Sequence, residues 1–233
     1  MSDRIIHTES GQVFREDYIR SLPSIGEGAY GKVYKLEEDK VIKLLNYPVY
    51  YGNDAMRYLK GLDLPNFYHI YDLLNEVGPN NIVGYSGVIS SYYESEDVDI
   101  WTMPSSWIIE NYERLCESVI KLGEKNIEIY DVCPHNAIIN RGGITIIDAD
   151  SYKIRDYSCV DKNLRYLKIL LFQELLCGNY RWHYGIPNAE LPLGSILSEF
   201  FFTDKSGKYK KDFVKTLSRY PKPMDYLNER LNK

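Results

Sequence analysis

Three polar side chains near the middle of the chain have the types and spacing that phosphoryl transfer needs. "IYDVCPHNAII" sets Asp131 and Asn136 with four residues between them and Pro134 inside the interval. Further on, "ITIIDAD" closes an apolar run on Asp148. A carboxylate can take the proton of an attacking hydroxyl. An amide oxygen and a second carboxylate can hold magnesium, which neutralises phosphate charge. Each residue also has a plainer use: Asp131 and Asn136 could bond their own turn, and Asp148 could simply end its strand. All three in this order are improbable by chance, so the chemical reading is preferred.

Upstream, "SIGEGAYGKVYKLEEDKVIKLL" offers what a phosphate would meet. Gly26, Gly28 and Gly31 fit G-x-G-x-x-G and Val33 follows. Glycines let backbone N–H groups approach phosphate oxygens closely. A dinucleotide-binding unit would run on into a helix, whereas "KVYKL" continues as a strand. Lys43 stands on the next strand. Alternation puts it on the face of Val41, free to point into a cleft and pair with phosphates.

These residues need elements to hold them. "KVYKL" and "KVIKLL" read as strands joined at "EEDK", and "NDAMRYLKGL" (53–62) as a short helix. "FYHIYDLLNEV" and "YSGVISSYYE" add two strands around "GPNN". After the acidic "ESEDVD" the texture turns helical. A long helix is expected from Ser105 or Ser106, one of them its cap, to Gly123. "AIINR" and "GITIID" form a hairpin over Gly142-Gly143, and a second long helix covers 162–178. Residues 1–93 therefore form a strand-rich lobe and 94–233 a helical one, with a ligand cleft expected between them.

Composition narrows the function. The chain has 233 residues, 44% hydrophobic and 26% charged, which is globular rather than disordered. A net charge of -5 argues against a general nucleic-acid binder. The lysine run Lys205, Lys208, Lys210, Lys211 and Lys215 reads as solvated surface. Four cysteines without C-x-x-C spacing argue against a zinc or redox site. No apolar stretch is long enough to span a membrane and "MSDRIIHTESGQ" lacks a signal-peptide core, so a cytoplasmic location is expected.

With these residues in view, the chain resembles the protein-kinase-like superfamily. "GEGAYGKV" is similar to the family's glycine loop, "VIK" to its lysine strand, "DVCPHN" to its catalytic loop, and "IIDAD" stands where it has D-F-G. "LLFQELLCG" looks like the buried helix of its large lobe. The resemblance covers about residues 22–178. It implies an α+β bilobal fold, with a small antiparallel-sheet N-lobe and a mostly helical C-lobe binding ATP and magnesium between them. By it, Lys43 contacts phosphates under a loop of Gly26, Gly28, Gly31 and Val33. Asp131 is the catalytic base, and Asn136 and Asp148 bind the metal. A hinge near Ser90, Ser91, Tyr92 and Tyr93 would hold adenine through its backbone.

Departures from the family are equally specific. Residues 44–75 contain no glutamate to pair with Lys43, and Asp54 is the nearest carboxylate to the expected place. Ile129-Tyr130 stand where the family has His-Arg, which removes the usual dock for a phosphorylated loop. Cys133 replaces a lysine common in serine/threonine kinases. Asp148-Ala149-Asp150 lacks the phenylalanine switch, and Asp150 is either a second metal-facing carboxylate or polar loop. About a dozen residues separate Asp150 from the next helix, without A-P-E, so a constitutively arranged site is expected. Three functions follow, ranked from a protein Ser/Thr kinase through a small-molecule kinase of aminoglycoside or choline type to an ATP-binding pseudokinase. The acceptor is accordingly a protein or a small alcohol, with no nucleic-acid or membrane partner.

Overall fold

Runs of alternating apolar and polar residues dominate the first part of the chain, and they pair as one antiparallel sheet. A computed structural model describes residues 4–49, 54–77, 83–184, 193–203 and 208–232. The chain is α+β and divides into two units, residues 1–93 with 149–154, and 94–148 with 155–233.

In the first unit the strands are β1 (Ile5–Thr8), β2 (Val13–Arg15), β3 (Ser24–Glu27), β4 (Gly31–Lys35), β5 (Lys40–Val49), β6 (Ile70–Val77) and β7 (Val83–Ser91). Their spatial order is β2-β1-β6-β7-β5-β4-β3, every pair antiparallel. Helix α1 (Glu16–Ser21) lies between β2 and β3, and α2 (Asp54–Leu59) between β5 and β6. β1, β2 and α1 extend the unit before the glycine run, where the sequence pattern suggested no element. The expected "GPNN" turn (78–81), Asn53 and Lys205 lie outside the described residues.

Alternation along β5 sorts its side chains by face. Ile42 and Leu44 join Ile6, Ile19, Tyr34, Leu74 and Ile89 in one apolar cluster. Lys43 therefore emerges on the opposite face. Behind α2, Lys60 Nζ reaches Asp72 Oδ1 on β6 at 2.5 Å and Glu9 Oε2 at 3.3 Å. Asp72 is buried, at 6% exposure, and also accepts the N–H groups of Ser10 and Leu73.

In the second unit α3 (Ser105–Glu124) turns Ile108, Leu115, Val119 and Leu122 inward. No serine side chain caps it. The Ser105 N–H, one of the first-turn donors a helix leaves without an internal partner, bonds to the Pro221 carbonyl at 2.9 Å. Nor does Gly123 end the helix: Asn126 takes the positive φ, at 61°. Gly123 is needed for close approach, since a Cβ there would lie 2.5 Å from the Val160 nitrogen.

Beyond α3 come β8 (Ile127–Glu128) and the hairpin β9 (Ala137–Asn140) and β10 (Gly143–Ile146). The second long helix starts as α4 (Val160–Tyr166), widens through π-helical turns at Leu167–Gln173, and continues as α5 (Glu174–Tyr184). Helices α6 (Leu193–Phe201), α7 (Phe213–Leu217) and α8 (Pro223–Leu231) complete the unit. Edge-to-face rings tie them in: Tyr112 meets Phe172 and Phe213 at 5.0 Å, and Phe213 meets Phe200 at 5.5 Å. Among the described residues no helix is long and apolar enough to cross a membrane.

The Asp72 contact sets a pH dependence. Burial alone would raise its pKa, but bonds from Lys60, Ser10, Thr8 and the Leu73 N–H outweigh that and lower it to about 2. A depressed carboxylate stabilises the fold above its unfolded pKa of 3.8 and loses that contribution as pH falls through the folded value. Urea unfolding at pH 5, 3 and 2 should show Asp72→Asn less stable than wild type by at most about 2 kcal/mol at pH 5. That gap should close toward pH 2. A gap constant with pH would show that Asp72 is not depressed.

Candidate active site

Sheet register puts the phosphate-side candidates in one row. Gly26 pairs with Val33, Val33 with Lys43, and Lys43 with Val88, abreast on β3, β4, β5 and β7. Residues directly opposite share a face, so Lys43 stands beside the glycine hairpin. The three glycines differ in what requires them. At Gly31 a Cβ would meet the Leu44 carbonyl oxygen at 2.5 Å, so β5 forbids a side chain. At Gly26 the nearest atom would be 3.9 Å away, and at Gly28 nothing lies within 4 Å. Neither has a positive φ. The fold demands the third glycine and leaves the first two without a packing reason. The Gly28 N–H closes the turn on the Gly31 carbonyl at 2.9 Å, and Tyr30 at its tip is 78% exposed.

Lys43 has a carboxylate partner in Asp150. Its Nζ lies 2.6 Å from Asp150 Oδ2, and the Tyr85 hydroxyl donates to Asp150 Oδ1 at 2.7 Å. Just before it, the Ala149 N–H donates to the buried Tyr68 hydroxyl at 3.0 Å. Asp54 opens α2, but its side chain lies outside the described residues. At the expected hinge, the Ser91 N–H donates to the His69 carbonyl and the Tyr92 N–H to that of Asp39. Lys35 sits over the Tyr92 ring, 3.0 Å from its centroid. Adenine held at this strand end would have to use groups other than the Ser91 and Tyr92 N–H. Tyr93 follows them as the last residue of this stretch of the first unit.

The second unit gathers the other three candidates. Register in the β9–β10 hairpin runs from Asn140 opposite Gly143 to Ala137 opposite Ile146. At the closed end Asn140 Oδ1 accepts the N–H groups of Gly142 and Gly143. At the open end the Ile147 N–H donates to the Asn136 carbonyl at 2.8 Å. Asn136 and Asp148, the residues next to that bond, leave the hairpin together. Asn136 Nδ2 donates to the Asp131 carbonyl at 2.8 Å and to its carboxylate at 3.2 Å. Asp131, Asn136 and Asp148 therefore share one end of one hairpin. Asp131 and Asp148 also hold left-handed backbone, φ 53° and 63°. Such conformations cost free energy and tend to collect at functional sites.

Two buried asparagines brace this end, and sequence reading passed over both. Asn163 on α4 is fully buried. Its Oδ1 accepts the Ile129 N–H at 3.0 Å, and its Nδ2 donates to the carbonyls of Ile127 and Val119. It fixes β8 and the residue after it on the way to Asp131. Asn111 on α3 accepts the Ile144 N–H at 2.8 Å and donates to the Trp107 carbonyl, fixing β10 ahead of Asp148. In the sequence each looks like any other helix asparagine.

Charge braces the same region. Glu128 is fully buried and pairs with Arg155 and Lys162, and Arg155 also donates to the Tyr130 hydroxyl. Burial would raise the Glu128 pKa, but the bonds from Lys162 and Arg155 outweigh it and lower it. The bond to Glu128 is the main cause raising the pKa of Arg155. Cys133, beside Asp131, is not primed for reaction: burial, then the neighbouring negative charge, pushes its thiol pKa up.

Among the described residues no three His, Cys, Asp or Glu side chains cluster to hold a metal. Asn136 and Asp148 offer a smaller, all-oxygen set. With Nδ2 turned to Asp131, Asn136 has Oδ1 to present to a cation. That donor chemistry fits magnesium, which typically takes one or two protein oxygens beside phosphates and water.

Removing the Asn163 brace should be costly. Asn163→Leu strands the Ile129 N–H, and Asn163→Asp turns a carboxylate onto two carbonyls. Each should lower stability by about 1–3 kcal/mol in urea unfolding. Wild-type stability in both variants would mean that the amide does not carry the strand. No family model matches this sequence, and no curated protein does, so any family assignment rests on the residues described above.

Proposed function

We propose that the chain is an ATP-dependent phosphotransferase with a protein-kinase-like bilobal fold, acting on a Ser/Thr hydroxyl of a protein. The observation that carries this reading is the hairpin end where Asp131, Asn136 and Asp148 meet, with Asn136 bonded to Asp131. Lys43 and two glycines without a packing role add the phosphate side of the set.

In this reading Asp131 orients the acceptor hydroxyl and takes its proton as the oxygen attacks the γ-phosphorus. The bond to the β,γ-bridging oxygen breaks and ADP leaves. Lys43 pairs with the α- and β-phosphates. Asn136 and Asp148 would hold magnesium, which supplies charge neutralisation on the phosphates.

A second reading is favoured by one feature. Helix α4 begins at Val160, so only residues 151–159 separate Asp150 from it. A segment that short leaves little chain to build a peptide-docking platform, and a small alcohol acceptor needs none. A third reading, an ATP-binding pseudokinase, requires binding without transfer.

Pure protein with γ-labelled ATP and magnesium, given a generic protein substrate or a panel of small alcohols, separates the three. Label should move to protein in the wild type. Asp131→Asn should cut turnover about 10²–10⁴-fold and leave ATP binding nearly intact. Asp148→Asn should abolish transfer. Label on an alcohol alone would select the small-molecule enzyme, and binding without transfer to either would select the pseudokinase.

A further inference from the structure

Lys43 lies on β5 and is 13% exposed, and the carboxylate that meets it, 18% exposed, comes from 107 residues further along the chain. That carboxylate is held on its other side. Asp150 Oδ2 faces Lys43 at 2.6 Å while Oδ1 accepts the Tyr85 hydroxyl from β7 at 2.7 Å. A carboxylate gripped through both oxygens has one orientation, and it confers that orientation on the ammonium. The peptide before it is pinned as well, because the buried Tyr68 hydroxyl accepts the Ala149 N–H.

We propose that Asp150 is the positioning residue for Lys43, aiming its ammonium at a phosphate anion, an inference that rests on the phosphotransferase reading. Asp150 is then neither a metal ligand nor plain loop. Its place in the chain has a consequence. Asp148 and Asp150 flank a single alanine, and two Cα steps of about 3.8 Å hold their backbones within roughly 7 Å. One tripeptide thus carries both the carboxylate offered to magnesium and the one that aims the lysine. A carboxylate borne by a mobile helix can swing away from its lysine. This one is tied to the metal-ligand candidate by covalent geometry.

The test compares Asp150→Asn, Asp150→Glu and Asp54→Asn with wild type, in full-length protein checked for an unchanged melting temperature. Asparagine keeps the shape and a bond to Tyr85, which guards against misfolding. The first readout is acylation of Lys43 by an amine-reactive reagent at fixed pH, followed by peptide mass spectrometry. An adjacent carboxylate favours the non-nucleophilic ammonium. Asp150→Asn should therefore label about 10-fold faster, Asp150→Glu should return toward wild type, and Asp54→Asn should match wild type. The second readout is phosphoryl transfer from magnesium-ATP. Asp150→Asn should lower kcat about 100-fold with little change in KM for ATP, the mark of a misaimed rather than a missing contact.

Unchanged Lys43 labelling in Asp150→Asn overturns the pairing whatever the activity. Faster labelling with undiminished kcat overturns the positioning role, as does faster labelling in Asp54→Asn alone. A rise in KM for magnesium with kcat preserved would return Asp150 to the metal. If wild type transfers no phosphate although the labelling shift is present, the phosphotransferase reading fails first and leaves the pair a structural contact.

Discussion

A backbone N–H buried away from water must find an acceptor, and in the helical unit this constraint decides where the chemistry-bearing loops sit. Ile129 follows the two-residue strand β8, and Ile144 lies in the two-stranded β9–β10 hairpin. Both turn to asparagine side chains, Asn163 and Asn111, presented by helices. The amide is suited to the task because it accepts and donates at once. Asn163 spends its oxygen on Ile129 and its nitrogen on Ile127 and Val119, so one side chain joins α3, β8 and the residues that lead from β8 to Asp131. Hairpin register then does the rest, carrying Asn136 and Asp148 out together. Left-handed backbone at Asp131 and Asp148 persists because its surroundings are held this firmly.

Ionic contacts follow a related rule, since a charge removed from water needs a charge of opposite sign. Glu128 is fully buried against Arg155 and Lys162, and Arg155 also reaches the Tyr130 hydroxyl. One buried carboxylate thus holds both Arg155 and Lys162, on either side of the start of α4. In the sheet unit Asp150 answers Lys43, and two tyrosines hold Asp150 and its neighbour in place. Some of the chain's 22 tyrosines thereby acquire a use: long, flat side chains that fill space and end in a hydrogen-bonding group.

What was legible in the sequence was local. Alternation announced β4, β5, β6 and β7, and a double glycine announced the turn of β9 and β10, whereas β3 went unread beneath the glycine spacing. Asp131, Asn136 and Asp148 were readable as a group because their spacing in the chain mirrors the hairpin that joins them. What escaped depends on partners far away. The start of α3 was legible, but the Ser105 N–H there bonds to Pro221, and Gly123 answers to Val160 rather than to a helix end. Asn111 and Asn163 look like any helix asparagine until the strands they bond are in place. Asp150 lies beyond the range of any pattern that includes Lys43. β1 and β2 are short and had no glycine motif beside them to draw attention.

The proposed function requires that this chain bind ATP through magnesium held at Asp148. Calorimetric titration of ATP into the pure protein, with and without magnesium and again with Asp148→Asn, tests it most directly. The expected result is binding that strengthens markedly with magnesium and loses that gain in Asp148→Asn. No ATP binding by the wild type, or equal binding with and without the metal, would contradict the claim.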